Sequence, residues 1–316
     1  MTTERRFLIH FAVLFGFCIP VGSSARATEL KWTFKAGESH RYRMETKTVS
    51  EVTLPGQTVK TTMLQTTETT WRVHSVDAKG NAEIALRFDR FLFRADTPQG
   101  RVDFDTNSSN EPSGLVGATL VPSYRALAGS TFHYTMTPTG NVDSILIPAD
   151  VLKKLREAVE TTADSPKFSE DSYKDLVRDQ VLSFPGKELK RGDSWTRQTR
   201  AFAPTGVHIH DKTYTYEGPD TASNAEMIRL GVKVEVRSNP GADPILGVHI
   251  DEQEDKALYT FDNKNGHLIK SSRDQVSQVT YTLKAGRNQG KTYRERKTVN
   301  SSLKLIESKS GTVAAK

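Results

Sequence analysis

The chain has 316 residues, of which 36% are hydrophobic, 26% charged and 8% aromatic, so it can form one large domain or two modest ones. These values exclude a collagen, a coiled coil, a polytopic membrane protein and a wholly disordered chain. The formal net charge is +6, but basic residues are interspersed with acidic ones, so no nucleic-acid-binding face is expected.

Residues 1–27 have the features of a signal peptide. Residues 5 and 6 are arginine, residues 7–21 are almost all apolar, and residues 25–27 form the small-residue pattern Ala-Arg-Ala. The apolar run is shorter than the roughly 20 residues that a transmembrane helix needs. We therefore expect cleavage after Ala27, export of the mature chain and no permanent transmembrane anchor.

Cys18 is the only cysteine and lies within this apolar segment. A mature chain without cysteine has no disulfides, no thiol catalysis and no cysteine-based metal site. Exported chains of this kind are more typical of bacterial envelopes than of eukaryotic secretion, so a periplasmic or extracellular location in a bacterium is predicted. Lipidation at Cys18 is the alternative, although the bulky Phe17 before it suits a lipoprotein signal poorly.

Alternation of side chains with a period of two residues dominates residues 28–147 and predicts a β-rich N-terminal half. Residues 41–54 place mainly charged side chains at odd positions, and Tyr, Met, Thr and Val at even positions. Residues 59–73 and 82–89 continue the pattern as second and third strands. The abundance of threonine favours strand over helix, because β-branched side chains suit a pleated surface.

The period changes to 3.6 residues within residues 148–185, which predicts a helical insert. The apolar side chains of residues 151–159 form one stripe, and those of residues 173–181 form a second. An amphipathic helix pair must cover its apolar stripes, and an open face of the sheet is the natural partner.

Strands resume in residues 186–306, the predicted C-terminal β-rich half. Residues 228–236 alternate strictly, and two longer strands, 266–283 and 291–306, are joined by a glycine-rich turn. Residues 307–316 are small and polar and are predicted to be a disordered tail. The predicted fold class is therefore α+β, mainly antiparallel β, with long curved sheets from two related β stretches and a helical pair inserted between them.

Short segments of the two β stretches resemble each other in the same order. Three pairs match: 35–39 with 190–194, 81–84 with 224–227, and 134–136 with 259–261. A shared order favours an internal duplication. Reuse of the same turn chemistry is the alternative.

Histidines provide the candidate metal site. His208 and His210 would lie on one face of a strand, about 6.5–7 Å apart, a spacing at which two imidazoles can bind one cation. His249 lies in a second Gly-Val-His-Ile sequence, so a paired strand would bring a third imidazole and make a zinc-like set. The alternative is a solvated sheet face. The common hydrolase, Walker, dinucleotide-binding and zinc-protease signatures are absent from the sequence, and no cofactor is expected.

Phe88, Phe91 and Phe93 interrupt the alternation of the third strand. They predict either a stretch buried on both faces or a bulge that turns a side chain into a ligand cavity. Core packing is the alternative to a cavity here.

The long hairpins and inserted helices resemble the lipoprotein-carrier proteins of the bacterial envelope. Residues 259–283, with Phe261-Asp262 before the turn at residues 263–266, are most like that group. The resemblance implies a half-open barrel with a helical lid that shelters an acyl chain, and it transfers no site residue. The chain is also similar to uncharacterised exported β-rich bacterial families.

These features predict a non-catalytic exported or envelope protein that binds an amphiphilic or polymeric ligand in a concavity between sheet and helices. A long sheet with one apolar face must cover that face, and a helix pair of this size leaves part of it open. The candidate partners are a lipid or other amphiphile and proteins of the envelope. The alternatives are a structural or protein-interaction module and a metal-assisted hydrolase.

Overall fold

A computed structural model describes residues 27–54, 56–160, 170–203, 206–223, 225–237, 246–284 and 289–311. The predicted signal peptide, including Cys18, lies outside the described residues except for Ala27. None of the helices in these ranges has the length and hydrophobicity that a membrane span requires.

Twelve strands form one antiparallel sheet that runs through both halves of the chain. The N-terminal half contributes β2 (Ser39–Leu54), β3 (Gln57–Val76), β4 (Ala82–Thr97), β5 (Gly100–Asp105), β6 (Thr131–Met136) and β7 (Val142–Leu146). The C-terminal half contributes β9 (Ser194–Ala203), β10 (Gly206–Pro219), β11 (Glu226–Arg237), β12 (Leu246–Asp262), β13 (His267–Leu283) and β14 (Thr292–Lys309). Two short strands, β1 (Thr28–Glu29) and β8 (Glu188–Leu189), pair separately.

The order across the sheet is β7-β6-β4-β3-β2-β14-β13-β12-β11-β10-β9, and β5 pairs with β4 beside this path. The mainly antiparallel β class is therefore confirmed. Strand β14 joins the two halves by pairing with β13 on one side and β2 on the other. It also continues to Lys309, so the first three residues of the predicted tail belong to a strand.

Three helices accompany the sheet: α1 (Gly114–Leu127), α2 (Ala149–Glu160) and α3 (Glu170–Gln180). Helices α2 and α3 lie within the predicted insert. Helix α1 corrects the prediction, because it falls in the half that was expected to be β-rich alone. Its sequence signal is weak, since two glycines lie within it and Pro122 interrupts its middle.

One main core draws on both halves of the chain. It contains Tyr42 and Tyr134 from the N-terminal strands and Tyr214, Ile228 and Phe261 from the C-terminal strands. We call the sheet face that carries these residues the inner face. A smaller cluster lies under α1, where Val121 meets three residues of β4 and β5, namely Phe93, Ala95 and Phe104.

Both edges of the sheet border the same elements. Helix α3 contacts β9 and β7, the two edge strands. The buried segment that follows it, residues 181–184, accepts hydrogen bonds from the indole nitrogens of Trp32 and Trp195 at 2.9 Å each, while the Phe184 amide donates to the Thr139 carbonyl at 2.8 Å. The sheet therefore curves far enough for its opposite edges to share one cover.

Candidate functional site

An open cleft of about 250 Å³ lies on the inner face of the C-terminal strands. It is lined by residues of β10 to β14 and by none of the described helical residues. Its apolar lining on the inner face, which we call the cleft floor, consists of Val234, Val236, Val248, Ile250, Val279 and Val299. All six are half-buried, so the helices leave this part of the sheet uncovered.

The sheet bends around this cleft. His208 lies in β10 and Lys297 in β14, four pairing steps away, which would be about 19 Å in a flat sheet. Both nevertheless line the same small cleft. Burial lowers the pKa of His208, and the positive charges of His210 in the same strand and of Lys297 across the cleft lower it further.

A buried ionic cluster fixes α3 against β9 and β10 beside the cleft. The Asp179 carboxylate lies 2.7 Å from the Lys212 ammonium and 3.0 Å from Nδ1 of His210, and it also accepts a hydrogen bond from the Thr199 hydroxyl. Burial would raise the pKa of Asp179, but its contacts with His210 and Lys212 outweigh that effect and hold it well below the usual value. The carboxylate therefore stays ionised at neutral pH.

A second buried carboxylate, Asp255, lies at the cleft between β12 and β13. Its side chain is 2% exposed and takes two hydrogen bonds from the Arg273 guanidinium, at 2.8 and 2.7 Å, and one from the Gln275 amide at 2.7 Å. A bidentate arginine pair with a further donor satisfies such a group. Asp255 is thus neutralised within the protein.

The structure brings together two of the three predicted metal ligands. His208 and His210 lie on the inner face with ring centroids 6.4 Å apart. His249 lies between Val248 and Ile250, which both line the cleft, and its side chain is 80% exposed, so alternation places it on the other face. Three imidazoles therefore do not converge. The described residues contain no group of three or more His, Cys, Asp or Glu side chains placed to hold a metal ion.

The three predicted cavity phenylalanines pack against protein side chains. An extra residue in β4 shifts the register between Phe88 and Arg90 and so places Phe88 and Phe91 on the same face, with ring centroids 5.8 Å apart. Phe91 stacks on Tyr124 of α1, and the ring of Phe93 packs against Tyr124 at a tilt. Phe93 borders an open surface cleft of about 390 Å³, but it is only 3% exposed. Strand β4 therefore contains a bulge, but Tyr124 of α1 packs against Phe91 and Phe93 where a ligand cavity was the alternative.

Sequence reasoning missed the buried ions. Lys212 shares the alternation phase of His208 and His210, which was a usable signal for an inner-face cation. Its partner Asp179 lies 33 residues away on a helix, and no local pattern joins the two.

Comparison with known proteins relates the chain to one family model and to one solved fold. The model of DUF6263, a family of unknown function, matches residues 79–233. None of the curated proteins is similar to the chain.

The lipovitellin structure described for lipid–protein interactions shares the fold at a TM-score of 0.51 and 13% identity. The match covers 90% of this chain and 26% of lipovitellin, so the chain spans about a quarter of that protein's length. DynF from the dynemicin biosynthesis pathway of Micromonospora chersina is 7% identical, with 88% of this chain and 85% of DynF covered. OccK2 (OpdF) of Pseudomonas aeruginosa with glucuronate is 5% identical, with coverages of 86% and 99%. Their TM-scores of 0.22 and 0.23 are too low to indicate a common fold.

Proposed function

We propose that the protein is a non-catalytic binding protein of the bacterial envelope that holds an amphiphilic or polymeric ligand in the cleft. The cleft floor carries the proposal: five valines and one isoleucine remain half-buried on the inner face of the sheet. Covering apolar surface is favourable by about 25 cal/mol per Å². Because the helices leave the cleft floor uncovered, a ligand with an apolar portion can gain this free energy by covering it.

The fold likeness to lipovitellin supports this ligand class. Lipid interaction is a property of lipovitellin, and we extend to this chain only the expectation that a large antiparallel sheet of this fold can shelter an apolar molecule. Export is part of the proposal and depends on residues 1–27. Amino-terminal sequencing of the protein recovered from its native host should begin at Thr28, and an intact amino terminus would contradict export by this signal.

Displacement of Nile red by decanol, below its solubility limit, tests binding in the cleft. Ile250→Glu places a carboxylate on the cleft floor and should weaken decanol binding at least about tenfold, because a buried charge without a partner is strongly unfavourable. Leu258→Glu is the matched control, since Leu258 lies in the same strand on the opposite face and is 38% exposed. It should bind decanol as the unchanged protein does.

Absence of displacement from the unchanged protein, or equal displacement in Ile250→Glu with a preserved circular dichroism spectrum, would overturn the proposal. The structural or protein-interaction module would then be the better explanation. Cross-linking in the native envelope would identify its partners.

A further inference from the structure

We infer that the cleft takes a single-chain amphiphile with an anionic headgroup, which lies at Lys297 while the chain lies on the cleft floor. This inference rests on the proposed function and names its ligand class. Its basis is the pairing of the charged side chains along the cleft, in which the Lys297 ammonium has no ion-pair partner among the described residues.

The carboxylates along the cleft are already engaged. Asp255 is neutralised by Arg273, and Glu254 pairs with Lys256. Glu295 faces the same side of β14 as Lys297 and accepts hydrogen bonds from the hydroxyls of Ser50 at 2.7 Å and Tyr281 at 2.9 Å. The lining therefore offers a cationic ligand no free carboxylate among the described residues.

Lys297 is differently placed. Its neighbours in the flanking strands are Ser277 of β13 and Ser50 of β2, both small and neutral. No carboxylate of the described ranges lies within 4.0 Å of its ammonium group. The side chain is exposed and borders Val299 and Val279 on the cleft lining. A lysine of this kind lays its methylene stem along apolar surface and presents its charge at the rim.

The opposite wall of the cleft adds imidazoles and, among its described residues, no carboxylate to the lining. His208 lies there in β10, and burial together with the charges of His210 and Lys297 lowers its pKa, so its ring is neutral at pH 7. An anion at the rim between β10 and β14 offsets the charge of Lys297, whereas a cation is repelled by that charge. The electrostatics of the cleft therefore favour a headgroup of negative charge.

The size of the cleft restricts the apolar part. About 250 Å³ is below the roughly 300–1,000 Å³ of sites that enclose a drug-sized ligand. One alkyl chain fits this space, and the second chain of a diacyl lipid remains outside it. The shared chemistry is thus an anion on one alkyl chain, and the anion is either a carboxylate or a phosphate.

Four ligands with a ten-carbon chain distinguish the headgroups: decanoate, decyl phosphate, decanol and decyltrimethylammonium. The affinity of each is measured by Nile red displacement at low salt, below the concentration at which micelles form. The unchanged protein should bind at least one of the two anions about tenfold more tightly than decanol, as a charge-assisted contact predicts. The cation should bind most weakly. Whichever anion binds more tightly identifies the headgroup as carboxylate or phosphate.

Lys297→Gln should remove most of this preference, measured as the ratio of anion affinity to decanol affinity in the same variant. Lys304→Gln is the matched control, because Lys304 lies in the same strand on the outer face, opposite Arg43 and Lys270. It should keep the preference. If decanol and the anions bind equally, or if Lys297→Gln keeps the preference, the inference fails while the proposed function stands. If no ligand of the series binds, both fail.

Discussion

Asp179 shows how a single residue can hold a helix on a sheet. Its carboxylate contacts side chains of two strands, Thr199 of β9 and both His210 and Lys212 of β10. Lys212 is only 3% exposed, so its ammonium depends on this partner. The pair therefore stabilises the packing of α3 on β10, the strand that lines the cleft with His208 and His210.

Removing the charge of Asp179 should be strongly destabilising. Asp179→Asn leaves the buried Lys212 ammonium without a carboxylate and should lower the free energy of unfolding by about 3–5 kcal/mol. Asp103→Asn is the control, because Asp103 and its partner Arg94 are both about half exposed, and such a pair contributes about 1 kcal/mol or less. Urea denaturation measures both. Equal losses would contradict the assigned role of Asp179.

The sequence predicts which face of the sheet a residue lies on where the pattern is contained in one strand. The alternation that joins His208 and His210 is local, so their common face was foreseen. The contact of His210 with Asp179 depends on a helix packing on the sheet, and the meeting of His208 and Lys297 at one cleft depends on five strands curving together. A local pattern contains neither. The orientation of His249 depends on which residues of β12 face inward, and a bulge near Ile250 changes that alternation. The sequence alone therefore did not show that His249 faces away from the other two histidines.

At the scale of elements, two turns have the same hydrogen bonds. In the first, the Glu38 amide donates to the Lys35 carbonyl, and the Gly37 amide donates to Val73. In the second, Asp193 donates to Lys190, and Gly192 donates to Tyr216. The turns precede β2 and β9, the first strands that the two halves contribute to the twelve-stranded sheet. The predicted duplication agrees with this correspondence and stays a prediction.

Two glycines in different turns allow a matched test of packing. Gly140 and Gly192 both have positive φ, at 81° and 92°, so alanine strains the backbone by about 1–2 kcal/mol at either position. At Gly140 a Cβ would also lie 2.3 Å from the Leu182 carbonyl oxygen, whereas at Gly192 it would meet nothing within 4 Å.

Gly140→Ala should therefore cost about 1–3 kcal/mol more than Gly192→Ala. Thermal and urea unfolding of the two variants measure the difference. Equal stability would show that residues 181–184 are not held tightly against the turn that contains Gly140.

The whole molecule should lose stability in two stages on acidification. Burial and neighbouring imidazoles lower the pKa values of His208 and His267, so the unfolded chain takes up protons first as the pH falls through about 6.5. In contrast, the contacts of Asp179 and Glu68 lower their pKa values despite burial. Their contribution is present above the usual carboxyl pKa and is lost as the pH falls below about 4.

Urea midpoints at pH 7.5, 5.5 and 3.5 measure both stages. His267→Gln should reduce the loss between pH 7.5 and 5.5 and leave the later loss in place. Constant midpoints from pH 7.5 to 5.5 in the unchanged protein would contradict the contribution of the histidines.

The position of β14 has a consequence for biosynthesis. This strand is the last of the described strands along the sequence, yet it lies in the middle of the sheet and pairs with both β13 and β2. Until residues 292–309 are available for pairing, β2 presents an unpaired edge whose eventual neighbour is more than 200 positions away in the sequence, and such edges recruit other chains. Closing so distant a pairing is slow. The newly made protein therefore needs protection from aggregation until its final strand is inserted.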